Sequence, residues 1–212
     1  MIEFERTTVP FEGIEYAMHA MRNPMNSWDR NDTAITSRPE YNDSYIEIGP
    51  NDKELSTKLM LAGPEHCKHL RFIMAYVDII APLYWWKEFD TYRAGVEKVS
   101  TSTMHKLNSR ELRIEDFSIV DEEEKIYYML DVLPRLNFKI KQSKEDKIAW
   151  EKLVHELPSS YMQKRSVMMS YAALKNICDQ REGHKLKEWH DFIDWANGLP
   201  YSELMFGEGE KK

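Results

Sequence analysis

The sequence predicts one domain that mixes helices with strand, on three observations. Its 212 residues are 42% hydrophobic, enough to bury a core and a better fit to one large domain than to two. Several stretches repeat apolar residues at helical spacing. One stretch, Leu70 to Ile80, is β-branched and aromatic with partial alternation, as a strand buried on at least one face requires.

Taken in order, residues 23–51 are dense in turn-forming pairs, among them Asn23-Pro24, Asn26-Ser27, Asn42-Asp43 and Gly49-Pro50, and read as one long loop. Loops of such length in compact domains are usually functional or disordered, which makes this one a candidate cover for a site. Leu55, Leu59 and Ala62 then follow at helical spacing with Gly63 as a stop, predicting a helix over 52–62. The strand over 70–80 is broken by Ala81-Pro82. Pro82 suits a first helical turn, and Trp85, Phe89 and Tyr92 repeat at i, i+4 and i+7, giving a helix that carries Arg93 near its end. The hydroxyl run Ser100-Thr101-Ser102-Thr103 reads as a turn or helix cap. Asp121 to Leu153 reads as one or two solvent-facing helices. Leu157-Pro158-Ser159-Ser160 opens a long helix that holds Val167, Tyr171, Leu174 and Cys178 at helical spacing and ends near Gly183. A last amphipathic helix carries Trp189, Phe192, Ile193 and Ala196, with Gly198 as its stop. The domain is expected over 1–206, with 207–212 as a flexible tail.

Composition excludes several functions. With 29 basic against 36 acidic side chains the net charge is −7, so no overall basic field attracts a nucleic-acid polymer. A local cluster of Arg and Lys can still hold one phosphate. The chain has neither an apolar run of membrane-spanning length nor a basic start followed by an apolar run, so it is expected to be cytoplasmic, without membrane association. Cys67 and Cys178 are expected to be reduced and buried. The P-loop, the paired-glycine dinucleotide fingerprint and the nucleophile elbow are all missing. His66-Cys67-x-His69 gathers three soft ligands but no fourth, so no metal site is expected. The six Trp and twelve Met are expected to fill the core.

Read in order, Leu59-Met60, Gly63-x-Glu65, His69-x-x-Phe72, Ala81-Pro82, Arg93 and Leu157-Pro158 with Asn176 and Arg181 match a known pattern of helix, strand, helix and distal helix. In these residues the chain resembles the flavin-dependent thymidylate synthases, over roughly 52–182. That family carries Gly-His-x-x-Pro-Phe-Glu-His, then a strand, then a helix ending in Arg-His-Arg-x-x-Ser-x-Asn-Glu-x-Ser-x-Arg-Tyr. The counterpart here is Thr91-Tyr92-Arg93-x-x-Val96-x-Lys98-Val99-x-Thr101-x-Thr103-Met104, in which only Arg93 is identical and Thr101 replaces a Ser. The resemblance implies an α+β fold, a mostly antiparallel sheet packed with long helices, assembled as a homotetramer. It also implies C5 methylation of the pyrimidine nucleotide dUMP, or a related one-carbon transfer, with FAD as cofactor and NADPH and methylenetetrahydrofolate as co-substrates. A catalytically inactive nucleotide-binding or regulatory protein on the same scaffold is the rival expectation.

Carried over by position, Arg181 is the candidate catalytic residue. It faces the nucleotide together with Arg93, Thr101, Ser100 and Glu88, while Asn176, Tyr92 and His69 are the candidates for holding the flavin. Simpler roles compete for most of these. Arg93 lies three residues after Asp90 and suits an ordinary ion pair. Thr101 suits a helix cap, Glu88 a surface carboxylate, and His69 the bracing of a loop by a hydrogen bond. Thr91 and Thr103 stand where the family has arginines, a loss of about 1.5–3 kcal/mol per charged hydrogen bond unless Lys98, Lys164 or Arg165 replaces them.

Overall fold

The computed structural model describes residues 2–41 and 43–207. In chain order the regular elements are β1 Glu3–Thr8, α1 Phe11–Ala20, β2 Ala34–Arg38, β3 Asp43–Glu47, α2 Pro50–Leu61, β4 Met74–Pro82, α3 Leu83–Phe89, β5 Val96–Ser100, α4 Thr103–Lys106, α5 Glu122–Tyr127, α6 Leu133–Gln142, α7 Lys147–Glu156, β6 Met162–Ser170, α8 Tyr171–Arg181, α9 Lys187–Asn197 and α10 Glu203–Phe206. Short 3-10 turns join several of them, among them Cys67–Arg71. A four-stranded sheet has the order β1-β4-β6-β5, and β2 and β3 form a separate antiparallel hairpin. With antiparallel sheet and 52% of the chain helical, the architecture is α+β, as expected. Among the described residues no helix is long and apolar enough to cross a membrane.

The chain forms two compact units. One comprises Met1–Glu3, Ile79–Thr91 and Lys98–Ser166. Its core is Leu107, Leu112, Phe117, Tyr128, Val132, Leu136, Ile140 and Leu153. Tyr128, Val132, Leu136 and Ile140 recur every fourth residue from a π turn at Tyr128–Val132 into α6, so helices read as solvent-facing bury a full apolar stripe. Asn137 fixes the segment before it, donating to the Leu112 carbonyl at 3.0 Å and accepting the Leu112 N–H at 2.7 Å. Tyr128 and Ser160 hydroxyls bond at 2.6 Å inside this core.

The other unit comprises Phe4–Asp78, Tyr92–Glu97 and Val167–Lys212. Ile14, Met18, Leu70, Ile73, Leu174, Trp189 and Phe192 are fully buried in it. Phe4 stacks on Trp195 at 4.9 Å, and Trp195 donates its indole N–H to Thr7 Oγ1 at 3.1 Å. A buried ion pair braces it as well: Arg22 Nε and Nη2 lie 2.7 and 2.6 Å from Asp52 Oδ1. The other oxygen of Asp52 accepts the backbone N–H groups of Asp32 and Thr33, while Asp32 accepts those of Asn51 and Asp52 at the start of α2. Carboxylates placed on helix-start N–H groups satisfy donors that the helix itself cannot.

Four expectations are corrected. Among the described residues, 23–51 hold three 3-10 turns and the β2–β3 hairpin, with Ile35 opposite Ile46, where turn-rich composition had masked a short β-branched pairing. The helix after Pro82 ends at Phe89, leaving Tyr92 and Arg93 in irregular backbone beyond it. The strand expected over 70–80 instead runs from Met74 through Ala81-Pro82, with Leu70 and Arg71 in the preceding 3-10 turn. Residues 162–170 are also strand, so Val167 lies on β6 and the distal helix begins only at Tyr171. Of the expected tail, Gly207 has φ +81 and residues 208–212 lie outside the described residues.

Candidate functional site

Helix α8 organises the candidate site. Ser170 caps it, its hydroxyl accepting the Ala173 N–H at 3.2 Å. The Ser170 N–H donates to the Gly95 carbonyl at 2.9 Å, which pins the 93–95 turn to the start of the helix. Gly95 has φ +71, and a Cβ there would sit 2.7 Å from Ser170 Oγ, so both conformation and approach demand glycine. The 3-10 turn Cys67–Arg71 packs on α8 from another side.

A cavity of about 730 Å³ opens in this unit. Met60, Leu70, Met74 and Ala173 supply its apolar wall, with Cys67, Arg71, Lys175, Asn176 and Asp179 as its functional groups. Ala172, Lys175, Asn176 and Asp179 line it from one face of α8, at i, i+3, i+4 and i+7. Lys175 Nζ lies 3.0 Å from Asp179 Oδ2, and Asn176 Oδ1 accepts from Gln180 Nε2 at 3.0 Å. Burial raises the pKa of the Cys67 thiol, which points at the Gly63 carbonyl from 3.4 Å. Cys178 is buried on the same helix and pushed up to about 12 by desolvation, and both cysteines are free. Among the described residues no three His, Cys, Asp or Glu side chains converge as a metal site.

Of the residues singled out in the sequence, Asn176 lines the cavity. His69 belongs to the same 3-10 turn as Cys67 and Arg71, but its side chain is buried and its Nε2 lies 3.0 Å from Ser56 Oγ on α2. Desolvation pushes its pKa down to about 4, against a smaller opposing pull from the His66 backbone. Tyr92 and Arg181 meet: Arg181 Nε donates to the Tyr92 hydroxyl at 2.8 Å. The guanidinium also lies 4.4 Å from the Trp189 ring centre and 5.5 Å from that of Tyr92, and the two rings meet edge-on. Arg93 is exposed, and its carbonyl accepts the Val96 N–H.

Glu88, Ser100 and Thr101 lie in the other unit. The Glu88 carbonyl accepts the Thr91 hydroxyl at 2.7 Å where α3 ends. Ser100 ends β5 and is exposed. Thr101 extends the pairing with β6, its N–H and hydroxyl both donating to the Lys164 carbonyl at 3.0 and 3.1 Å, while Ser102 caps α4 in its place. Asp90, the ion-pair partner suggested for Arg93, instead receives Lys98 Nζ at 3.0 Å and Arg165 Nη1 at 2.8 Å.

The sequence reading missed Arg71, Lys175, Asp179 and Gly95. The first had no pattern to mark it. Lys175 and Asp179 resemble an ordinary solvated i, i+4 pair. The signal that could have found them is their helical phase with Asn176, opposite the buried Leu174, Ile177 and Cys178.

No family model matches the sequence, and no curated protein matches it. Solved structures do. A thymidylate synthase X from Helicobacter pylori, solved with FAD and dUMP, is 16% identical with a TM-score of 0.71, covering 98% of this chain and 97% of its own. A second structure of the flavin-dependent enzyme from that organism, also with FAD and dUMP, is 18% identical with a TM-score of 0.69 and the same coverage. A UMP/dUMP methylase from Streptomyces cacaoi, bound with 5-Br dUMP, is 14% identical with a TM-score of 0.62, covering 97% of this chain and 93% of its own. Over nearly its whole length, the chain has the α+β fold of the flavin-dependent thymidylate synthases.

Proposed function

We propose that this protein is a divergent flavin-dependent enzyme that methylates dUMP at C5, or carries out a related one-carbon transfer to a pyrimidine nucleotide. The observation that carries the reading is whole-length likeness to structures solved with FAD and dUMP, joined to sequence matches in the same order along the chain. The cavity chemistry fits a flavin nucleotide. Met60, Leu70 and Met74 suit a flat ring, Arg71 and Lys175 suit phosphate charge, and the Asn176 amide suits a ring edge that both donates and accepts. FAD there would supply hydride transfer, with NADPH as reductant and methylenetetrahydrofolate as carbon donor.

The chain's own share is binding and orientation. Arg181, steadied by Tyr92 and Trp189, is the catalytic candidate and offers the nucleotide a fixed guanidinium. Arg93 completes nucleotide recognition within the unit that holds Arg181 in this reading. Asn176 and Tyr92 contact the cofactor, and His69 holds the cofactor-side 3-10 turn through Ser56. Assembly as a homotetramer belongs to the same reading.

One observation favours a second reading, a nucleotide-binding protein without turnover. In the segment 91–104, the family's arginines are replaced by Thr91 and Thr103, and Lys98 is engaged by Asp90. The test is the absorption spectrum of the purified protein after addition of FAD, followed by turnover of dUMP with NADPH and methylenetetrahydrofolate. Flavin uptake with turnover supports the enzyme, and uptake without turnover selects the binding protein. Colourless protein that takes up no FAD refutes the flavin reading.

A further inference from the structure

We propose that Lys98 and Arg165 form a phosphate-monoester site whose occupant in the free protein is the carboxylate of Asp90. The three side chains belong to one compact unit. Lys98 Nζ and Arg165 Nη1 approach the same oxygen, Asp90 Oδ1, at 3.0 and 2.8 Å. Among the described residues Asp90 Oδ2 has no hydrogen-bond partner, so two cations share one half of one carboxylate.

Exposure is distributed as such an exchange needs. The Lys98 and Arg165 side chains are 18% and 14% exposed, whereas that of Asp90 is 45% exposed. The cations are therefore shielded and fixed, and the anion sits at the open side. Arg165 Cζ lies 4.3 Å from the Trp86 ring centre, with Nε donated to Gln163 Oε1 at 3.0 Å. Lys98 Nζ lies 5.3 Å from the Phe89 ring centre. Trp86 and Phe89 are fully buried, and Trp86 donates its indole N–H to the Gln163 carbonyl at 2.9 Å, so the platform is rigid. Arg165 Nη2 makes no hydrogen bond among the described residues, leaving a donor beside Nη1 in the planar fork that matches two oxygens of a phosphate.

A phosphate monoester offers three oxygens and nearly two charges to this pair, where Asp90 offers one oxygen and one charge. An incoming phosphate would take the place of Asp90 Oδ1 and release the carboxylate to solvent. No bond is made or broken. Phosphate capture rests on this geometry alone, and its assignment to a nucleotide rests on the function proposed above.

The experiment titrates full-length protein with inorganic phosphate, UMP, dUMP and uridine, following Trp fluorescence and the shift in melting temperature. Wild type is expected to bind the three phosphorylated probes and not uridine. Asp90→Asn, which removes the competing charge and keeps the shape, is expected to bind them about tenfold more tightly. Lys98→Met and Arg165→Gln are each expected to weaken binding by about tenfold or more, with circular dichroism confirming the fold. If Arg165→Gln fails to fold, Asp90→Asn and Lys98→Met decide the matter. Unchanged or weaker phosphate binding by Asp90→Asn overturns the proposal, as does a wild type that binds none of the phosphorylated probes. Inorganic phosphate binding as tightly as UMP and dUMP supports the site with free phosphate as its ligand, while tighter nucleotide binding assigns it to the nucleotide. FAD uptake is scored separately, so failure of the flavin reading leaves this result interpretable.

Discussion

Acidification should unlock the wall between α2 and the 3-10 turn Cys67–Arg71 through a single histidine. His69 is 3% exposed and bonded to Ser56 Oγ, and burial lowers its pKa from an ordinary 6.5 to about 4. The folded pKa lies below the unfolded one, so between these values the unfolded chain binds the proton more readily and stability is lost as the pH falls. The contribution of neutral His69 is present in full above pH 6.5 and is lost progressively toward pH 4. Integrated over that linkage, lowering the pH from 7 to 5 costs about 2 kcal/mol from this group alone. Urea denaturation of wild type and His69→Gln at both pH values isolates the term, because titration of the carboxylates is common to both proteins. Wild type should lose about 2 kcal/mol more than the variant on acidification. Equal losses in the two proteins would refute the assignment.

Three further perturbations test the packing around the candidate site. Gly95→Ala must place a Cβ 2.7 Å from Ser170 Oγ at φ +71, and should cost about 1–3 kcal/mol in urea denaturation. A cost near zero would mean that the turn is not pinned to α8. Asp52→Asn strips the partner from buried Arg22 and should cost about 3–5 kcal/mol, while a loss below about 1 kcal/mol would contradict the bracing role. Tyr92→Phe removes the acceptor for Arg181 Nε but keeps the ring, so it should cost about 1 kcal/mol and alter Trp189 fluorescence; an unaltered protein would show that the bond is idle.

The sequence announced those elements whose burial follows a period. The middle of strand β4 was legible because Ala75, Val77 and Ile79 alternate inward, though its ends were misplaced, and α9 because Trp189, Phe192 and Ala196 share one face. Strand β6 was not, since Met162, Gln163, Lys164 and Arg165 carry little β-propensity, and Val167 happens to fall one helical step before Tyr171. The end of α3 was overrun because Tyr92 continued the apolar spacing, although Thr91 closes the helix by bonding back to the Glu88 carbonyl. Asn176 was reached through resemblance and does line the cavity, but its neighbours Lys175 and Asp179 looked solvated, because sequence alone does not fix which face of a helix meets a void. The ties from Asp90 to Lys98 and Arg165 were equally hidden, as one of them joins residues 75 positions apart.

Addition of FAD to the purified protein, read by visible absorption before and after dUMP, tests the central proposal most directly. The proposal predicts flavin bands that stay with the protein through gel filtration and shift when dUMP is added. Protein that elutes colourless, with all of the FAD in the small-molecule fraction, would contradict it.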